Sequence, residues 1–216
     1  MPTPRYENLP QEKKERLISA ALNEFRQYPY HESSINRIIH SCGISRGSFY
    51  TYFSNKTDLI FAIMQDFFTQ LGVKIEHTLK QSKGDIFSAF IVVYDFVQEY
   101  SSLYQLTDVV RNLLLGLNAD DRANLNTMAR TGTNLITQSR DLVNFSNLRI
   151  SGRENNEEFE DLIILLFSVT KFSCLESLVF SNQTEKAYYR ERFLQRLNYL
   201  KYGLVKSLNE QNKGVS

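Results

Sequence analysis

Arg46, Gly47, Ser48, Tyr50 and Thr51 bring a guanidinium, two hydroxyls, a phenol and a bare backbone into one short segment. A face of that composition suits a groove. Residue types that would carry other chemistry are not arranged to do so. His31, His40 and His77 form no metal-ligand pair at helical spacing, and no Gly-rich phosphate loop or nucleophile elbow is present. An all-helical enzyme is therefore disfavoured, and neither a metal nor a cofactor is implied.

The polar face needs two helices to hold it. Residues 33–53 read SSINRIIHSCGISRGSFYTYF, two short helical patterns broken at Cys42-Gly43-Ile44, the layout of a helix-turn-helix. Ser33 or Ser34 can cap the first helix by accepting an N–H that a helix start leaves unpaired. Ile35, Ile38 and Ile39 give that helix one apolar face. Gly43 supplies the left-handed residue that ends it. Ile44 plugs the angle between the helices and Ser45 caps the second, Arg46 to Tyr52. There Phe49 and Phe53 lie four apart on the inner side, so Arg46, Gly47, Ser48, Tyr50 and Thr51 face outward.

With 216 residues and 42% hydrophobic content the chain can bury a real core, as one large domain or two modest ones. A net charge of +1, from 25 basic and 24 acidic residues, gives the whole molecule no bias toward polyanions, so any nucleic-acid role must be local. Residues 1–56 hold eight Lys/Arg against five Glu, an excess beside the helix-turn-helix. Cys42 and Cys174 lie far apart inside apolar helical patterns and read as small buried hydrophobes. The N-terminus lacks an apolar signal core. The longest apolar run, Leu162 to Phe167, is far short of the roughly 20 residues of a membrane span. A cytoplasmic protein with no membrane role is expected.

Residues 1–10 carry three of the four prolines and read as a mobile arm. A first long helix follows from Gln11 to about Gln27 and ends at Tyr28-Pro29, since a residue before proline is pushed out of the α region. Asn55 opens the helix after the helix-turn-helix, with Asp58 as a capping-box-like partner. The remainder has no proline and no sustained alternation, so it too should be helical: 85–100, 103–117, 120–143, 157–180 and 184–208. The helix over 157–180 is apolar around most of its circumference between Leu162 and Val169 and must be covered on most sides. The last helix carries Phe193, Leu197, Leu200, Leu204 and Leu208 on one stripe. The simplest cover is the same helix pair from a second copy, with Leu162, Leu166, Phe193, Leu197, Leu200 and Leu204 as the dimerisation residues. A monomeric bundle could bury them instead.

The first fifty-nine residues resemble the N-terminal domain of the tetracycline-repressor (TetR) family of transcriptional regulators. The resemblance rests on LISAALNEF in the first long helix, on residues 33–53, and on Asn55-Lys56-Thr57-Asp58-Leu59. It covers about a quarter of the chain. It implies an all-α fold: a three-helix helix-turn-helix DNA-binding domain over residues 1–55, and a helical ligand-binding and dimerisation domain over 56–216. By position, Ser45, Arg46, Gly47, Ser48, Tyr50, Thr51 and Tyr52 match the recognition helix, and Lys56 matches a lysine that meets a backbone phosphate. Ser34, Asn36 and Arg37 sit where the second helix of the head approaches the DNA backbone. Arg46 suits base readout, since a guanidinium can pair bidentately with guanine. Tyr50, Tyr52 and Lys56 suit phosphates, although the Tyr52 ring could instead pack inward with only its hydroxyl exposed. Pro29 stands where the family usually has glycine, Arg37 where an acid is common, and Ile39 and Cys42 where alanine is usual.

The implied partners are a double-stranded DNA operator, a second copy of the chain and an unknown small-molecule effector. Two heads would sit one DNA turn apart, roughly 34–36 Å. The effector would bind among aromatic and neighbouring residues of the larger domain, with Phe90, Tyr94, Tyr104, Phe167, Lys171 and Cys174 as candidates. Repression is the family's usual mode. A helical protein-binding adaptor that has lost its DNA role is the other reading.

Overall fold

The computed structural model describes residues 2–103, 105–109, 112, 134–148, 150, 156–180 and 185–203. Among them every regular element is helical, as expected. They are α1 (Pro4–Glu7), α2 (Gln11–Gln27), α3 (Ile35–Cys42), α4 (Arg46–Tyr52), α5 (Lys56–Gln81), α6 (Ile86–Leu103), α7 (Asn156–Phe180) and α8 (Lys186–Tyr202). Residues 107–109, 112 and 134–138 are also helical, and 3-10 turns span Arg140–Leu142 and Phe145–Asn147. The helices expected over 103–117 and 120–143 fall mostly outside the described residues.

The chain divides into two compact units, Met1–Ile75 with Glu99–Ser139, and Glu76–Gln98 with Arg140–Ser216. The boundary expected at residue 55 lies inside the first unit, just before α5 begins. The first unit takes in more than the helix-turn-helix, because it also includes α5 as far as Ile75.

In the first unit, Leu17, Ala21 and Phe25 of α2 are buried with Ile38 of α3, Phe49 of α4, and Phe53 and Leu59 beyond it. The Phe49 and Phe53 rings meet at 5.3 Å between centroids, on the inner side that their spacing predicted. α2 ends at Tyr28, whose extended backbone (φ −128°, ψ 140°) is what the following proline demands.

The expected mobile arm is instead a docked helical turn. Pro4 opens α1, a position where its missing N–H is not needed. Tyr6 is buried, with its ring 4.9 Å from that of Phe53. The Thr3 N–H donates to the Tyr52 carbonyl at 3.0 Å and the Thr3 hydroxyl to the Thr51 carbonyl at 2.8 Å. These are orphan carbonyls at the end of α4, so the N-terminal segment finishes the helix that carries the polar face. Of the prolines that suggested a loose arm, Pro4 starts this helix and Pro10 stands just before α2.

In the second unit, Tyr94 of α6 stacks on Phe193 of α8 at 4.4 Å, and α7 packs on α8. Arg190 holds Asp95 bidentately at 2.7 and 2.8 Å. The turn between α5 and α6 needs glycine at 84. Its φ is +84°, and a Cβ there would lie 2.4 Å from the Asn144 nitrogen that donates to its carbonyl. By length and composition α7 is apolar enough over Asn156–Val179 to cross a membrane, more than the short run Leu162 to Phe167 suggested. Its inward side nonetheless carries buried Thr170, Ser173 and Ser177.

Burial, reinforced by Glu7, pushes the Tyr6 phenol up to about 12 from 10.0. The folded state then holds this proton more tightly than the unfolded chain. The associated stability is intact below pH about 10 and is lost as pH rises toward about 12. Tyr6→Phe keeps the packing and removes the titration. Urea midpoints between pH 8 and 11 should fall less in the variant, the difference reaching about 1 kcal/mol at pH 11. Tyr6→Ala should cost about 3 kcal/mol at neutral pH.

Candidate nucleic-acid interface

The polar face is set by three local devices. Ser34 takes an extended conformation and its oxygen accepts the Arg37 N–H at 3.4 Å, capping α3. Gly43, at φ 69°, ends α3 in the left-handed region, and the Ile44 N–H reaches back to the Ile39 carbonyl at 3.0 Å. Ser45 caps α4 by accepting the Ser48 N–H at 3.0 Å. Ser33, the other cap candidate, is buried and donates to the Tyr30 carbonyl at 2.6 Å.

Arg46 is exposed at the first turn of α4. One guanidinium nitrogen donates to Asn36 Oδ1 at 3.2 Å, and the group lies 5.7 Å from the Tyr50 ring centroid. Tyr50 is exposed, with its ring edge-on to Phe49. The Thr51 hydroxyl donates to the Gly47 carbonyl at 3.0 Å. Tyr52 is half-buried, its ring 6.4 Å from that of Phe53. A Cβ added at Gly47 would meet only Ser45 Oγ, at 3.8 Å, so the chain itself leaves room for a side chain there.

Two cations have duties inside the head. The Lys56 ammonium donates to the Tyr30 carbonyl at 2.5 Å and to the Ser33 carbonyl and hydroxyl at 3.0 and 3.2 Å, 4.5 Å from the Tyr30 ring centroid. Arg37, expected to add a phosphate contact, grips the buried Glu24 carboxylate through Nε and one Nη at 2.5–3.1 Å. That same Nη also donates to the Glu32 carbonyl at 2.9 Å. The Arg37 guanidinium lies 4.0 Å from the Tyr28 ring centroid, and its pKa is raised, chiefly by the Glu24 hydrogen bond.

The structure brings Ser34, Asn36, Arg46, Tyr50 and Lys56 into one cleft of about 200 Å³, with Ser33 and Ile35 completing its wall. Arg37, Ser45, Gly47, Ser48, Thr51 and Tyr52 do not line it. Ser33 and Tyr30 were not among the expected site residues. Their part depends on Lys56 reaching back across more than twenty residues, which no local spacing announces.

Phe90, Tyr94 and Cys174 of the effector candidates are buried in the second unit, and Phe167 is half-buried. Burial pushes the Cys174 thiol up to about 12 and raises that of Cys42, in keeping with both as packed hydrophobes. Lys171, expected either to mark a polar point in a pocket or to be solvated, is exposed. Tyr104 lies outside the described residues. A cleft of about 530 Å³ in the same unit is lined by other side chains, Asp85, Phe87 and Lys201 among them.

The residues expected to form a dimer are distributed between core and surface. Leu166, Phe193 and Leu197 are buried in the core of their own chain, Leu162 and Leu200 line the larger cleft, and Leu204 lies outside the described residues. The apolar groups left exposed on these helices are Ile164, Leu165 and Phe172 of α7 and Tyr188, Tyr199 and Tyr202 of α8. A stripe on a helix reports which side is covered, not what covers it.

Residues 17–63 match the model for bacterial regulatory proteins of the tetR family, and residues 85–204 match the tetracyclin repressor-like C-terminal domain. Over 172 residues, 79% of this chain and 87% of the relative, the sequence is 24% identical to YxaF, an uncharacterized HTH-type transcriptional regulator of Bacillus subtilis (strain 168). Identity reaches 36% over 72 residues with a second such regulator, YvdT of the same organism, covering 33% of this chain and 34% of that one. In fold, the chain is similar to E. coli NemR in its reduced form, with TM-score 0.54, 16% identity, and 86% and 95% of the two chains covered. A tetR-family regulator from Streptomyces coelicolor gives TM-score 0.50 at 18% identity over 95% and 87%.

Replacing Glu24 with Gln leaves a buried group without its charge-assisted bonds. It should lower stability by about 1–3 kcal/mol in urea titrations. Arg37→Ala should lower the thermal midpoint while leaving the salt dependence of DNA binding unchanged, whereas loss of a phosphate contact would reduce that slope by about one.

Proposed function

Because this chain belongs to the TetR family of bacterial regulatory proteins, we propose that it is a cytoplasmic, homodimeric repressor. Its two heads hold a palindromic duplex, and a small molecule bound in the second unit alters that grip. The DNA reading rests on the cleft beside the start of α3, where Arg46, Asn36, Tyr50 and Lys56 converge.

The roles follow from reach and charge. Arg46 is exposed and tethered within the head by Asn36, so its guanidinium can turn to guanine in a major groove. Ser34, Ser45, Ser48, Tyr50, Thr51 and Tyr52 present hydroxyls that suit phosphate and sugar contacts, which fix register without reading sequence. Lys56 contributes its field from the cleft floor while its ammonium holds the Tyr30 and Ser33 carbonyls. Gly47 has no packing reason inside the chain. Its smallness serves a surface that approaches from outside.

An effector site around Phe90, Tyr94 and Cys174 is supported by Gln98, whose buried Nε2 has only the weak acceptor of the Cys174 sulfur nearby and no oxygen or nitrogen partner among the described residues. Such a group is costly to leave unmet and is satisfied by a ligand acceptor. The dimer is best built on Ile164, Leu165 and Phe172 with Tyr188 and Tyr199, since large exposed apolar patches mark interaction surfaces.

Selection from a random duplex pool should recover a palindrome bound with a steeply negative salt slope. Salt-insensitive or absent binding would point to the adaptor. Arg46→Ala should relax preference at one base position by about 1–3 kcal/mol. Gly47→Ala should stabilise α4 by up to about 1 kcal/mol yet weaken DNA binding; unchanged affinity would remove Gly47 from the interface. Ile164→Asp combined with Phe172→Asp should give a folded monomer in sedimentation, and a persistent dimer would move the interface elsewhere.

A further inference from the structure

The end of α2 is closed by a residue from a distant part of the chain. A helix that stops at Tyr28 leaves the carbonyls of Phe25 and Arg26 to be met. The usual glycine-type ending meets them with the backbone N–H groups two and one residues further on, at Tyr30 and position 29. Pro29 has no N–H and cannot take the left-handed conformation such an ending requires.

Asn112 supplies what is missing. Its side-chain amide nitrogen, which carries two hydrogens, donates to the Phe25 carbonyl at 3.0 Å and to the Arg26 carbonyl at 2.7 Å. The Tyr30 N–H, which a glycine-type ending would send to Phe25, donates instead to the backbone carbonyl of Asn112 at 3.3 Å. A further bond runs alongside, from Arg26 Nε to the Gln105 carbonyl at 3.4 Å. One asparagine thus performs both bonds of the absent cap and receives the donor that the cap would have used.

Tyr30 is also the residue on which the cleft is built. Its carbonyl accepts from Lys56 and from the Ser33 hydroxyl, and its phenol shares a hydrogen bond with the Thr57 hydroxyl at 2.9 Å. Lys56 and Ser33 both line the cleft.

We propose that Asn112 is a positioning residue for DNA binding. By capping α2 from outside the head, it fixes the Tyr30 turn that sets Lys56 and the start of α3, and it makes the cleft's geometry depend on where the helix carrying Asn112 stands. The DNA part rests on reading α3 and α4 as the DNA face; the cap does not.

The test uses the full chain in four forms: wild type, Asn112→Ala, Asn112→Asp and the double variant P29G/N112A. Hydrogen exchange of peptides covering residues 24–34, without DNA, reads the cap. Two hydrogen bonds of about 1 kcal/mol each predict at least tenfold faster exchange in Asn112→Ala. Asn112→Asp keeps the shape but has no hydrogens to give, so it should exchange as fast. P29G/N112A restores a self-sufficient ending and should return exchange to within about threefold of wild type. Affinity for the tightest duplex that wild type recovers from a random pool should follow the same order, about tenfold lower in both single variants and regained in the double.

Unchanged exchange in Asn112→Ala overturns the cap. So does fast exchange in Asn112→Ala with wild-type behaviour in Asn112→Asp, which would make the effect one of packing, or a double variant no slower than Asn112→Ala. Rescued exchange without rescued affinity overturns the positioning role. A pool that yields no duplex overturns the DNA reading and the positioning role with it, while the exchange experiment still decides the cap.

Discussion

A carboxylate inside a small helical head must be surrounded by donors, and Glu24 finds them on a different helix. Its oxygens take the Ser34 N–H at 2.7 Å and two nitrogens of Arg37, while Arg37 lies against Tyr28 and holds the Glu32 carbonyl. Burying an ionised group is unfavourable unless it is paired and hydrogen-bonded. The arrangement therefore admits few alternatives. It fixes the angle at which α3 leaves α2, and it orients Ser34, whose oxygen caps α3. Everything that faces outward from α3 and α4 is aimed from this anchor. The arginine that departs from the family's usual acid is a structural partner of Glu24, which gives its charge a use inside the head.

The same economy appears at Lys56. A free ammonium at the foot of the cleft would be a mobile point charge. Held on two carbonyls and a hydroxyl, it gives the cleft a fixed positive floor and ties the first turn of α5 to the loop before α3. Binding that requires a preset geometry gains from such rigidity, because less side-chain freedom is lost on contact. Arg46 stands apart as an exposed cation held lightly, by one hydrogen bond to Asn36 and the nearby Tyr50 ring, which leaves its guanidinium freer to turn than the Lys56 ammonium.

What could be read from the sequence was local. Ser34, Gly43 and Ser45 each act within four residues, so their types and spacing were sufficient to fix both helix starts and the turn between them. Phe49 and Phe53 likewise revealed their inward side by spacing alone. The features that escaped are those made by contacts between distant segments. Prolines near the N-terminus suggested disorder, because nothing nearby discloses that Phe53 leaves a place for the Tyr6 ring. Arg37 suggested a phosphate contact alone, because its Glu24 partner lies on the previous helix. On α7, apolar on most sides, periodicity could not separate Leu166, which its own chain covers, from Ile164 and Phe172, which it does not.

The capping of α2 by Asn112 also governs which substitutions the chain can absorb. Proline at position 29 is damaging in a chain that must close this helix with its own backbone, whereas asparagine at position 112 is harmless in a chain that already does so. The two positions are therefore coupled unequally: proline at 29 leans on the amide at 112, whereas the amide does not lean on the proline. Replacing the asparagine takes a donor from two carbonyls, while replacing the proline with glycine merely makes the asparagine redundant.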